Sequence, residues 1–174
     1  VGVFMSIVTP PFPFLAYAEI MNKYFPKVEK GIFELMDKVE LLMVNAHPAM
    51  GFVRPLVPNT VQLGFMHIDP PKPLEEGPLK KFLDESKNGV IYVSFGTNIK
   101  SKDLDQELLY ILINVFKGLK QNVLWKFENE NLPNKPDNVM IQKWLPQADL
   151  LAHPNVKLFI TQCGQQSTEE AVDR

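Results

Sequence analysis

The sequence predicts an α/β protein built on a parallel sheet, and three observations carry that prediction. From Leu79 onward, short apolar runs alternate with amphipathic stretches, the order of successive βαβ units. The runs Val90–Phe95, Val123–Phe127 and Val156–Thr161 are apolar with little alternation, as in strands covered on both faces. Each run also ends in a small or polar loop, and in an open sheet the loop beyond the strand end is where a ligand sits.

Taken in order, Val1–Phe14 is apolar and then proline-rich, the end of a strand followed by a loop that cannot continue a ladder. Ala16 to about Phe25 has apolar residues at helical spacing, Pro26 stops it, and helix resumes through Met36. Val39–Val44 and Val61–Met66 read as further strands, with a turn at His47-Pro48 between them. Asp69–Pro78 holds four prolines in ten residues, a stiff connector and a domain boundary. The expected division is 1–68, a connector at 69–78, and 79–174.

The second part begins with a helix over Leu79–Ser86 and the strand Val90–Phe95. Ser101 is the expected N-cap of a long helix whose buried face carries Leu104, Leu108, Ile111, Leu112, Val115 and Leu119. Strands at Val123–Phe127 and Val139–Ile141 follow, then a loop at Trp144, a short helix through Leu151, and the strand Val156–Thr161. Ser167 with Glu170 three residues on fits a capping box, so the last helix is expected to start there.

Composition narrows the classes. A charge of -2 over 174 residues argues against a nucleic-acid or anionic-membrane footprint. The single cysteine, Cys163, excludes an internal disulfide. No apolar run approaches the length of a membrane span. The chain opens on Val1 and stops a few residues into a helix, which reads as a piece of a longer protein.

Chemistry concentrates near the end of the chain. The corner after Thr161 presents unpaired amides and a helix N-terminus, which favour an anion such as phosphate. Trp144 either packs its loop on the sheet or offers a π-face to a base, where stacking is worth ~1–3 kcal/mol. Trp125, inside an apolar strand, reads as core. Gly96 lets the backbone approach a ligand, and Ser94 and Thr97 can donate to phosphate oxygens. Glu170 either caps its own helix or faces the ligand, and Glu169 is then a solvent-facing acid of the first turn. His47 and His153, each before a proline, read as turn residues. A dinucleotide oxidoreductase is poorly supported, because no G-x-G-x-x-G follows the Val90 strand.

The run from Trp144 to Ala171, W-L-P-Q-A-D-L-L-A-H-P-N-V-K-L-F-I-T-Q-C-G-Q-Q-S-T-E-E-A, resembles the signature of the UDP-glycosyltransferases, in the form of their insect and baculoviral branch. Val90–Thr97, Val123–Phe127 and Pro70–Leu74 resemble the family's phosphate-loop strand, its next strand and its interdomain linker. The resemblance is good from about Val39 onward and implies the two-domain GT-B fold. On that mapping the chain holds the tail of the acceptor-binding half and a truncated donor-binding half.

What the resemblance implies for the site is specific. Trp144 would stack on uracil, Gln147 would bond the nucleoside, and Glu170 would hold the ribose hydroxyls. Ser94, Gly96, Thr97, Leu145, Gln162, Gly164 and Gln166 complete the implied UDP-sugar site. Three positions depart from the family pattern: Gln162 replaces a frequent His, and Cys163 and Phe65 each stand where Gly is usual. A positive φ at Cys163 would bring local strain.

No catalytic residue is implied within this chain, since the family's basic His lies earlier and its Asp-Gln pair for the sugar would fall beyond Arg174. The implied parent transfers glucose or glucuronic acid from a UDP-sugar to a small lipophilic hydroxyl with inversion, without metal or other cofactor. Its implied setting is the lumenal side of the endoplasmic reticulum membrane, held there by segments outside this chain. The alternative is a UDP-binding module without activity.

Overall fold

The computed structural model describes Ile20 and residues 23–26, 38–51 and 53–174. The expected strand end and proline loop of Val1–Phe14, most of the Ala16–Phe25 helix and the segment through Met36 lie outside the described residues. The chain forms two compact units, Val1–Gly64 and Phe65–Arg174. In the first, β1 (Leu42–Val44) and β2 (Thr60–Gln62) pair in parallel, Met43 opposite Val61. The His47 ring accepts the Ala49 amide at 3.2 Å, so it serves its turn.

The second unit contains α1 (Pro78–Glu85), β3 (Val90–Ser94), a single 3₁₀ turn (Ser101–Asp103) and α2 (Gln106–Lys117). It continues with β4 (Asn122–Lys126), β5 (Val139–Gln142), α3 (Gln147–Leu151), β6 (Val156–Thr161) and α4 (Gln165–Asp173). The four strands form one parallel sheet in the order β5-β4-β3-β6. From β3 the chain steps outward through β4 and β5, then returns to the opposite side with β6. The order therefore reverses between β3 and β6, which opens a crevice at their carboxyl ends.

Both faces of β3 and β4 are covered, which explains their continuous apolar runs, whereas on β6 Lys157 and Leu158 are exposed. Ile91, Val93, Val123 and Trp125 point to the side of Ile113 and Phe116 on α2. Val90, Tyr92 and Leu124 point to the side of Leu83 on α1 and of Leu145 and Leu150 around α3. Trp125 is fully buried, edge-on to Phe116 and Phe127 with both centroids at 5.3 Å. Across the reversal, Tyr92 stacks on Phe159 at 4.8 Å, tying β6 to β3.

Two expectations are corrected here. Ser101 does not cap the long helix. Its hydroxyl is buried, donates to the Lys126 carbonyl at 2.9 Å and accepts the Trp125 indole N–H at 3.0 Å. Asp105 caps α2 instead, accepting the Glu107 amide. The buried stripe of α2 is also rotated from the expected one: Ile113 and Phe116 are inside with Leu109 and Leu112 against them, while Leu108, Ile111 and Val115 are exposed. Both stripes have helical spacing, and the fit of Phe116 against Trp125 selects one of them.

Ser101→Ala would strand a buried indole N–H, at a cost of about 1–3 kcal/mol. The urea midpoint should fall accordingly while far-UV circular dichroism stays native; an unchanged midpoint would show the indole finds another partner.

Candidate functional site

The crevice between β3 and β6 is a cavity of about 550 Å³. Ser94, Gly96, Thr97, Trp144, Leu145, Gln147, Gln162, Gly164, Gln166 and Glu170 all line it. Three loops deliver them: the end of β3, the β5–α3 connection and the β6–α4 corner. Trp144 is 71% exposed, with its indole free to meet a ligand, whereas Leu145 is buried in the core beneath it. Anything Leu145 offers a ligand must come from its backbone.

Gly96 has φ +79, and a Cβ there would collide with the Gln162 amide nitrogen. A Cβ on Gly164 would lie 3.5 Å from the same atom. The Gln162 side chain thus reaches across the corner between two glycines, where its amide donates without adding charge.

Gln147 joins the elements around the cavity. Its Oε1 accepts the Tyr92 hydroxyl at 3.0 Å, and its Nε2 donates to Ser167 Oγ at 3.0 Å and to Glu170 Oε2 at 2.7 Å. This corrects the capping-box expectation. Helix α4 starts three residues before Glu170's expected partner would require, with Gly164 as N-cap and no side-chain cap. Ser167 lies inside the first turn, and Glu170 stands beyond reach of the N-terminal amides. Those amides therefore open toward the cavity, with the helix dipole behind them.

Glu169 is corrected as well: it is 1% exposed and accepts from the Gln165 amide at 2.9 Å. Successive helical residues diverge by about 100°, so one of two adjacent acids faces the cavity and its neighbour faces inward. His153 is a turn residue as expected, its Nδ1 accepting the Asn155 amide and its Nε2 lying 3.1 Å from Asp84. With Nδ1 accepting, the proton belongs on Nε2, aimed at Asp84. Lys80, then His153, holds the Asp84 carboxyl below its usual range.

Sequence reasoning passed over several lining residues, Lys126 and Tyr92 among them. Lys126, 8% exposed, donates to the Gly96 carbonyl at 2.6 Å, lies 3.7 Å from Glu128 and sits 5.6 Å from the centre of the Trp144 ring. Its position at the end of β4, the strand beside β3, was the available signal. Tyr92 stood in the sequence only as part of the strand Val90–Phe95, yet its hydroxyl reaches the cavity wall. Burial chiefly pushes its phenol up to about 12, with Ser94 pulling the other way and the Glu170 charge adding to the rise.

Comparison with known proteins now bears on the arrangement. The sequence profile of the UDP-glucoronosyl and UDP-glucosyl transferase family matches residues 12–174. The chain belongs to this family. It is 43% identical over 156 residues to UDP-glycosyltransferase UGT4 of Dactylopius coccus, covering 90% of this chain and 31% of that protein. It is 40% identical over 157 residues to the ecdysteroid UDP-glucosyltransferase of Lymantria dispar multicapsid nuclear polyhedrosis virus, covering 88% and 31%. The chain thus spans about a third of the length of these relatives. A solved UDP-glucosyltransferase of Polygonum tinctorium, capable of glucosylating indoxyl, superposes with a TM-score of 0.59 at 25% identity, covering 76% of this chain and 32% of that one. The fold is of the GT-B type.

Cys163 and Phe65 adopt φ of 60 and 66, in the left-handed region that favours glycine. A non-glycine residue in this region costs roughly 1–2 kcal/mol. Cys163→Gly should leave stability unchanged or raise it, whereas Cys163→Val, whose branched Cβ fits the region worst, should lower it by about 1–2 kcal/mol. Denaturant melts of the two variants check this, and a destabilised Gly variant would contradict it.

Tyr92 generates an alkaline prediction. Its folded value, about 12, lies above the ordinary 10, so its stabilising share is whole below pH 10 and is lost as pH rises toward 12. Stability of the Tyr92→Phe chain should fall less steeply over that window; equal slopes would count against a phenol buried in its neutral form.

Proposed function

We propose that the second unit is the nucleotide-sugar-binding part of a UDP-glycosyltransferase. The observation that carries the reading is the convergence of all ten implied residues on one cavity at the strand-order reversal, in a chain of this family. Uracil stacks on the exposed face of Trp144. Glu170, held by Gln147, accepts from the ribose hydroxyls. The diphosphate lies against the amides of α4 and the Ser94–Thr97 loop, within reach of Gln162.

In the parent protein the acceptor oxygen attacks the anomeric carbon in line as the sugar–phosphate bond breaks, UDP departs, and the configuration inverts. The base that takes the acceptor proton comes from outside this chain. The α4 dipole, Gln162 and Lys126 stabilise the charge that grows on the departing diphosphate. No metal or further cofactor enters this scheme. Glucose is the sugar we favour, on the strength of relatives named UDP-glucosyltransferases, and the acceptor is a small lipophilic hydroxyl compound. Attachment to the lumenal side of the endoplasmic reticulum membrane would rest on other segments; among the described residues no helix is long and apolar enough to cross a membrane. A second reading, a UDP-binding module without transfer activity, is favoured by the departures at Gln162 and Cys163.

UDP binding by calorimetry tests the site. Loss of stacking, ~1–3 kcal/mol, should weaken Trp144→Ala by roughly 5- to 150-fold, with Trp144→Phe intermediate. A cooperatively folded chain that shows no saturable UDP binding would sink the proposal.

A further inference from the structure

Glu169 is a fully buried carboxylate on the helix that lines the cavity, and the proposed chemistry does not use it. One of its oxygens accepts from Gln165 at 2.9 Å, and the other lies 3.5 Å from Nδ1 of His67. His67 sits at the start of the second unit, before the proline connector, and both of its ring nitrogens are shielded from solvent. A carboxylate is not left in such a place without compensation, because desolvation costs several kcal/mol. The His67 imidazole is one of the groups within reach to supply it.

We infer that His67 and Glu169 form a positioning pair that fixes the rotation of α4 about its axis, and through it the reach of Gln166 and Glu170 into the cavity. This rests on the nucleotide reading of that cavity. The geometry is direct. Glu169 and Glu170 are adjacent on one helix, so any roll that moves Glu170 along the cavity wall must drag Glu169 from its place beside His67. The two ends of the constraint differ in kind. On the cavity side Gln147 holds Glu170 and Ser167 by neutral amide hydrogen bonds. On the inner side an electrostatic contact ties the helix to the segment 65–69. A helix held on both sides keeps its N-terminal amides aimed at one point, which an anion site built from backbone donors requires. His67 is thus assigned a role in donor binding although it does not line the cavity.

The test separates pairing from packing. His67→Leu keeps the bulk but removes the ring nitrogens, His67→Asn keeps a donor near the Nδ1 position, and Glu169→Gln removes the charge. Two readouts are taken on each: hydrogen exchange of the α4 amides without ligand, and UDP affinity. His67→Leu should speed α4 exchange and weaken UDP binding about tenfold, the scale of a lost contact to a buried charge. His67→Asn should recover most of both, and so should His67→Leu combined with Glu169→Gln, which leaves no charge stranded. Unchanged α4 exchange in His67→Leu, or better recovery by Leu than by Asn, overturns the pair. Faster exchange with unaltered UDP affinity overturns its positioning role. Absence of UDP binding in the unaltered chain overturns the nucleotide reading instead, while the exchange pattern still decides the pairing.

Discussion

The side-chain amide of Gln147 is the constraint on which the site depends. One planar group on α3 accepts from Tyr92 on β3 and donates to Ser167 and Glu170 on α4. Those three elements meet where the strand order reverses, and α3 and the end of α4 are joined again by Arg174 Nε, which donates to the Ala148 carbonyl at 3.3 Å. An amide suits the task because it offers a donor and an acceptor in fixed opposition. Reversing it would set Oε1 against Glu170 and Nε2 against a tyrosine hydroxyl that already has a donor to place. Glutamate at this position would put two carboxylates within hydrogen-bonding distance. The residue thus fixes the orientation of Glu170 and leaves the carboxylate a second oxygen for a ligand.

The charge around the cavity follows from that arrangement. Two acids, Asp149 and Glu170, and one lysine, Lys126, line it, which by simple count disfavours an anion. Position changes the balance. Asp149 is engaged by the Lys72 amide at 2.7 Å, and Glu170 is drawn toward Gln147. The uncapped N-terminus of α4 and Lys126 line the same cavity. The wall thus offers acceptors and donors together, the mix that a ligand carrying both hydroxyls and phosphates would need.

The sheet was legible because its central strands, covered on both faces, are apolar throughout, and Val90–Ser94, Asn122–Lys126 and Val156–Thr161 fall within a residue or two of their expected runs. What escaped was the choice among equivalent local signals. Ser101 and Asp105 are both good caps by residue type, and only the Trp125 indole shows that Ser101 is taken. Ser167 was a plausible cap until Gln147 claimed its hydroxyl. Glu169 and Glu170 are the same residue in neighbouring places, and tertiary packing decides which is buried. Lys126 reads as the polar end of a strand, and its bond to Gly96 joins the end of β4 to the loop after β3, distant in sequence. Local pattern gives the element, and long-range hydrogen bonding gives the role.

Cys163 shows how an unfavoured residue can be held in the backbone conformation its loop requires. Its φ of 60 lies in the left-handed region, so the loop keeps the course that glycine would take and does not relax to a shape the cysteine prefers. The strain, roughly 1–2 kcal/mol, is therefore carried by the folded state as a whole. On either side the corner is pinned, by the Ser94–Thr161 register at the end of the sheet and by the Gly164 carbonyl that accepts both the Thr168 amide and its hydroxyl. With both flanks held, the intervening residue has no freedom to choose its own backbone angles. A cysteine here costs stability, but the orientation of the α4 amides is set by neighbours it does not disturb.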